Sequence, residues 1–133
     1  MEVEELRKLI ANGESLTLEF KGEERGAISD REIYEAIVCL ANVDGGTLLI
    51  GVENDGRITG ARPRHGTTTD SGKLQAAIFN NTEPRINARV SVIPAGEGDV
   101  IAIVVDRYHE ICATKAGVSL RRVMGVQGPE CVP

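Results

Sequence analysis

The sequence predicts an α/β domain in which a mixed, largely antiparallel sheet of paired strands carries two to three helices. Three observations favour this class. Apolar residues recur with a helical period in separate stretches, alternating or continuously apolar runs lie between them, and glycine-containing turns join the runs in pairs. The chain has 133 residues, of which 41% are hydrophobic, so we expect a single domain over residues 1–133.

A helix and a half-buried strand are predicted at the start of the chain. Over residues 2–11 the apolar side chains recur at three- and four-residue steps, and an Asn-Gly pair typical of a helix end follows. The segment "SLTLEFK" then alternates between apolar and polar residues. This pattern predicts that Leu18 and Phe20 are buried, while Glu19 and Lys21 share the outward face of the strand.

The middle of the chain predicts a second helix, a central strand and a hairpin. "SDREIYEAIVCLANV" opens with a capping box of Ser29 and Glu32 and carries an apolar stripe. "TLLIGV" is a short apolar run typical of a central strand, and "ENDG" is a turn with "RITG" as the return strand. The polar residues 60–72 show no periodicity and predict a loop.

The second half adds one helix and at least three strands. "SGKLQAAIFNNT" has a helical pattern that ends before Pro84. "INARVSVI" and "VIAIVV" are strand-like and are joined by "PAGEGD", which predicts a hairpin, and "VSLRRV" is the last predicted strand.

Charge and cysteine content limit the classes of function. The formal net charge is −5, and residues 1–35 hold ten acidic against five basic residues, while residues 36–133 hold ten of each. A local basic face is therefore compatible with the acidic total. No apolar run reaches the length of a membrane span, and the three cysteines have no CxxC spacing. We expect a cytoplasmic, reduced protein without a disulfide framework or membrane contact.

The glycine pair in "ANVDGGTLLIG" raises the question of a phosphate-binding loop. Gly45, Gly46 and Gly51 fit neither the Walker spacing nor the dinucleotide fingerprint. The pair also leads out of a helix into a strand, so no helix N-terminus would point at a ligand. We therefore expect a structural turn between the second helix and the central strand, with no nucleotide cofactor.

Three ordered motifs carry a resemblance to a known family. "ESLTLEFK", then a helix ending "LANVDGG", then "TLLIGVENDGRITG" resemble the AlbA-type domain of the Schlafen family, and "VIAIVVDR" and "SLRRVMG" are similar to its final strands. In prokaryotes this domain is found in transcriptional regulators and in proteins labelled RecG-related or divergent AAA. The resemblance covers about residues 14–125 and implies an AlbA-like fold in which Asn42, Gly45, Gly46 and Gly51 are structural motif residues.

The resemblance implies a nucleic-acid-binding module, which we expect to be the DNA-binding part of a transcriptional regulator. Whether the partner is DNA or RNA, and whether the chain is the N-terminal part of a longer protein, stay open. Aromatic residues are few, which favours backbone contacts with weak sequence preference. We also expect a homodimer. The basic candidates are Lys21, Arg57, Arg62, Arg64, Lys115, Arg121 and Arg122, with His65 beside them.

Two alternatives remain open at this stage. Some animal Schlafen proteins are metal-dependent ribonucleases with three acidic residues, and two of these match Glu14 and Glu19. The third falls on Asn54, so Asp55 or Glu53 would have to replace it and hold Mg²⁺ or Mn²⁺. The second alternative is a protein-interaction domain without nucleic-acid contact. We expect no zinc site, because His109, Cys112 and Cys131 do not make a full ligand set.

Overall fold

The computed structural model describes residues 1–133 and contains three helices and eight strands. In chain order they are α1 (Val3–Ala11), β1 (Leu18–Lys21), α2 (Asp30–Ala41), β2 (Gly45–Ile50), α3 (Ser71–Asn80), β3 (Thr82–Glu83), β4 (Arg89–Pro94), β5 (Asp99–Asp106), β6 (Ala113–Thr114), β7 (Arg121–Gly125) and β8 (Gly128–Val132). The predicted class, with helices packed on a mixed and largely antiparallel sheet, is confirmed.

The central sheet has the strand order β1–β2–β5–β4. Strands β1 and β2 are parallel, and α2 supplies the crossover that a parallel pair requires. The other two neighbouring pairs are antiparallel, and β4 with β5 forms the hairpin predicted around "PAGEGD". The remaining strands make two small ribbons, β3 with β6 and β7 with β8.

Both faces of the central sheet are covered by helices. Ile101 and Ile103 of β5 join the core formed with α2 and α3, while Val100 and Ala102 join the core under α1. This two-sided burial explains why β5 is continuously apolar rather than alternating. None of the three helices is long and apolar enough to cross a membrane.

The predicted register of β1 is confirmed on its buried side. Leu18 and Phe20 are 3% and 2% exposed. Glu19 and Lys21 share the other face and form an ion pair at 3.9 Å. That face is not open to solvent at Glu19, however, because Arg122 of β7 pairs with the Glu19 carboxylate.

The glycine pair lies one step later in the fold than the sequence predicted. Asn42 to Asp44 form the turn, and Gly45 and Gly46 are already the first residues of β2. Both have a positive φ, 74° and 146°. A side chain at Gly46 would meet the backbone carbonyl of Thr17 at 2.3 Å, so close strand packing requires glycine there.

The hairpin after β2 is also smaller than predicted. "RITG" is not a strand, and only a single bridge joins Val52 to Ile58. The carbonyl of Gly51 accepts the amides of Thr59 and Gly60, which turns the chain away before a ladder can form. The capping box of Ser29 and Glu32 at the start of α2 is confirmed.

The expectation of three reduced cysteines is wrong. Cys39 of α2 and Cys131 of β8 form a disulfide across 92 residues of sequence, whereas Cys112 is free and buried. Strand β8 was not predicted, and its pairing with β7 brings Cys131 beside α2. Sequence spacing alone does not reveal such a distant pair.

Candidate nucleic-acid interface

Most of the predicted basic residues already have acidic or backbone partners in the fold. Arg57, on the hairpin, lies 2.8 Å from Asp55 and 3.3 Å from Glu24. Hydrogen bonds with these two carboxylates raise the pKa of Arg57, and the same contact lowers the pKa of Asp55. Arg57 is exposed, but its charge is balanced locally.

Arg62 and Arg64 hold the polar loop of residues 60–70 against the segment before α2. The Glu23 carboxylate is buried and accepts the backbone amide of Arg62 at 2.7 Å and the Arg64 guanidinium at 3.2 Å. Arg64 also donates to the Ile28 carbonyl, and its side chain is only 8% exposed. These two arginines therefore act mainly in holding the loop.

Arg122 is buried beneath the β7–β8 ribbon. Its guanidinium donates to the carbonyls of Ser15 and Leu18, each at 2.9 Å, and to the Glu19 carboxylate. It also lies 3.8 Å from the sulfur of Cys131. We assign Arg122 to the fold, where it fastens β7 to β1, rather than to a ligand surface.

The remaining predicted basic residues differ in their exposure and in whether they have acidic partners. Lys21 is about one-third exposed and faces Glu19. Lys115 and Arg121 are exposed, and neither takes part in an ion pair. His65 accepts the amide of Asp70 at the start of α3.

A cavity of about 420 Å³ adjoins Arg121 and is also lined by Arg107, which the sequence analysis missed, and by His109, which it considered only as a zinc ligand. Arg107 follows β5 and is exposed without an ion pair. The preceding residue, Asp106, does not neutralise it, because Asp106 is paired with Arg89 at 3.1 Å. The signal was present in "VVDRYH", where basic residues directly follow a buried strand.

Asn42 at the end of α2 brings the two sides of this cavity together. Its amide nitrogen donates to the carbonyls of Cys112 at 2.9 Å and Leu120 at 2.7 Å, and its oxygen accepts the Cys112 amide at 2.7 Å. The neighbouring carbonyl of Ala41 accepts the amide of Tyr108. The asparagine of the "LANVDGG" motif thus fixes the segments that carry His109 and Arg121.

The three acidic candidates for a metal site have separate partners. Glu14 accepts the amide of Phe20 at 2.9 Å, and burial raises the pKa of its carboxyl, with a smaller contribution from the Glu19 charge. Glu19 is paired with Arg122 and Lys21, and Asp55 with Arg57. No group of three His, Cys, Asp or Glu side chains in residues 1–133 is close enough to hold a metal ion.

Of the acids beside Asn54, Glu53 is the one that turns back toward β1. Its carboxylate accepts the Thr59 hydroxyl and lies against Gly22, where a side chain would meet it at 2.0 Å. Asp55 points to Arg57 on the exposed side of the hairpin. Of the zinc candidates, Cys131 is in the disulfide and so has no thiolate to offer a metal.

Comparison with known proteins supports the resemblance carried by the motifs. The family model described as "Schlafen, AlbA_2" matches residues 14–126. The crystal structure of the DIP2311 protein from Corynebacterium diphtheriae has a TM-score of 0.70 at 21% identity, over 98% of this chain and 26% of that one. This chain therefore spans about a quarter of that protein's length.

A second solved structure matches this chain over almost the full length of both. The N-terminal domain of a RecG-related protein from Nitrosomonas europaea has a TM-score of 0.60 at 19% identity, over 100% of this chain and 95% of that one. Both structural likenesses concern the fold, and no curated protein matches the sequence. The match over residues 14–126 shows that the chain belongs to the Schlafen AlbA_2 family.

Proposed function

We propose that this chain is a nucleic-acid-binding module, the DNA-binding part of a transcriptional regulator, which contacts the phosphate backbone with weak sequence preference. The observation that carries the proposal is the pair of exposed arginines without ion-pair partners, Arg107 and Arg121, beside one cavity. Membership of a family associated with nucleic-acid interaction supports it. The module acts without a nucleotide or metal cofactor.

Arginines without partners are better suited to phosphate than arginines already bound to carboxylates. To reach a phosphate, Arg57 would give up hydrogen bonds with Asp55 and Glu24. Arg107 and Arg121 give up only water, and each guanidinium can donate two parallel hydrogen bonds to one phosphate. These two residues should therefore supply most of the phosphate affinity.

Backbone contact is favoured because aromatic platforms are scarce. The chain has no Trp, two Tyr and two Phe. Phe20 is buried, Phe79 stacks with Arg85 at 5.3 Å, and the Tyr108 hydroxyl bonds to the backbone of residues 85 and 87. Tyr34 packs partly against the core, so stacking of successive bases, which sequence-tolerant single-strand proteins use, is disfavoured.

Fluorescence anisotropy with a DNA duplex and an RNA hairpin of about 20 base pairs, at about 50 and 200 mM salt, tests the proposal. Binding should be measurable for the wild-type chain, weaken at high salt and weaken further in Arg107→Ala and Arg121→Ala. Lys8→Ala is the matched control, because Lys8 is an exposed, unpaired cation on α1, across the sheet from α2. Absence of binding at low salt would favour the protein-interaction alternative.

The same samples address the ribonuclease alternative. RNA incubated with the chain and Mg²⁺ or Mn²⁺ should remain intact. If the RNA is cut, and Glu19→Gln abolishes the cutting while Arg122→Met retains it, the ribonuclease interpretation replaces the binding proposal. The Arg122→Met control is needed because Glu19 also pairs with Arg122.

The homodimer remains a prediction. Both outer strands of the sheet have edge amides occupied by side chains, Phe20 by Glu14 and Val90 by Gln75. These contacts hinder strand-to-strand pairing between two chains. Light scattering during size exclusion, with and without DNA, measures the mass directly.

A further inference from the structure

The cavity beside Arg107 and Arg121 has the size of a small-molecule site and a fixed inner wall. Its volume of about 420 Å³ lies in the range of ligand pockets. Asn42 and Ser119 line it, but their polar atoms already bond to the backbone of Cys112 and Leu120. The groups left to hold a ligand are therefore the exposed side chains at its edge.

Those exposed side chains favour an anion. Arg107, His109 and Arg121 line the cavity together with one acidic side chain, Glu110, and with the last residue, Pro133. Neither arginine is paired with Glu110, and Arg89 holds the nearby Asp106 carboxylate. Two guanidiniums without carboxylate partners at one concavity can both donate to a single compact, doubly charged phosphate.

An apolar residue at the same cavity indicates that the ligand also has an apolar part next to its anionic group. Ile111 is 83% exposed and is one of the few large apolar side chains on the surface. A nucleotide that places its phosphate between the arginines could lay its sugar or base on Ile111. An inorganic ion would make no use of this surface.

We infer that the cavity receives the terminal phosphate of a nucleic-acid strand, an inference that rests on the proposed function. An internal phosphodiester carries one negative charge and continues into nucleotides on both sides. A terminal phosphomonoester carries about −1.5 to −2 charges at neutral pH and is attached on one side only, so it can enter a concave site end-on. The module therefore prefers strand ends that bear a phosphate.

The test compares one oligonucleotide in three forms: with a 5′-phosphate, with a 3′-phosphate and with hydroxyls at both ends, each labelled internally. One phosphorylated form should bind at least about tenfold more tightly than the hydroxyl form, the effect of one additional charged hydrogen bond. Arg107→Ala and Arg121→Ala should remove the preference, whereas Lys8→Ala should retain it. A nucleoside monophosphate should compete better than inorganic phosphate, and Ile111→Ser should reduce that difference.

The outcomes separate this inference from the proposed function. Equal affinity for all three forms would overturn the terminal-phosphate site while leaving backbone binding in place. A phosphate preference that persists in both arginine variants would also overturn it, because the group would bind elsewhere. No binding of any form would defeat both proposals. Circular dichroism spectra identical to the wild type establish that each variant is folded.

Discussion

Replacing Arg122 with methionine should destabilise the fold, whereas the same change at Arg121 should leave its stability almost unchanged. The two residues are neighbours in β7, and strand alternation sends their side chains to opposite sides. Arg122 is 2% exposed, while Arg121 is exposed. Methionine keeps an unbranched apolar stem, so the change removes the guanidinium with little loss of packing.

The expected loss in free energy of unfolding follows from the contacts of the Arg122 guanidinium. It donates to two backbone carbonyls at 2.9 Å and to Glu19, whose side chain is only 13% exposed. Removing one partner of a buried ion pair costs about 3–5 kcal/mol, because the other charge stays buried. Lys21, 3.9 Å from Glu19, offsets part of this loss, so we expect about 3 kcal/mol. Arg121→Met should cost about 0.5 kcal/mol or less.

Urea unfolding followed by circular dichroism measures the two free energies of unfolding, since the chain has no Trp for fluorescence. The experiment is run without reductant, because Arg122 lies beside Cys131 and the disulfide must stay constant. A loss below about 1 kcal/mol in Arg122→Met, or an equal loss in Arg121→Met, would refute the structural assignment of Arg122.

Three further predictions concern the glycine pair, the disulfide and an ion pair. Gly46→Ala should cost about 2 kcal/mol or more in urea unfolding, because its Cβ would meet a backbone carbonyl at 2.3 Å, while Gly26→Ala, with open space, should be nearly neutral. Cys131→Ser should lower the free energy of unfolding by about 4.6 kcal/mol, as the chain-entropy model gives for a link across 92 residues, and equal urea midpoints with and without reductant would contradict the cross-link. The Arg7 guanidinium lowers the pKa of Glu97 from 4.5 to about 2, so this pair should stabilise the fold above pH 4.5 and lose its effect as the pH falls toward 2. NMR titration should show the Glu97 midpoint returning toward 4.5 in Arg7→Ala, and an unchanged midpoint would disprove the pairing.

The sequence predicted the parts of the fold that depend on local pattern. The alternation around Phe20 and the capping box at Ser29 rely on residues a few positions apart, and both are confirmed. Strand β8 and its disulfide depend on where β7 lies against α2, which joins residues 92 positions apart. No local periodicity marks such a contact, so the pairing of Cys39 with Cys131 was missed.

The candidate site was less predictable because a sequence shows charges but not their partners. Arg57 and Arg122 are equally basic in the sequence. In the structure, Arg57 pairs with Asp55 on the surface, whereas Arg122 is buried and pairs with Glu19. Arg107 was passed over because it follows a strand that looked purely structural. The hydrogen bonds of Asn42 give a physical reason for an asparagine at the end of α2.

The salt dependence of DNA affinity tests most directly whether Arg107 and Arg121 contact phosphates. Each phosphate contact contributes about −0.9 to the slope of log K against log salt concentration on duplex DNA. The double variant Arg107→Ala/Arg121→Ala should therefore have a slope shallower by about 2 than the wild type, and Lys8→Ala should keep the wild-type slope. A double variant with the wild-type slope and affinity would contradict the proposed interface.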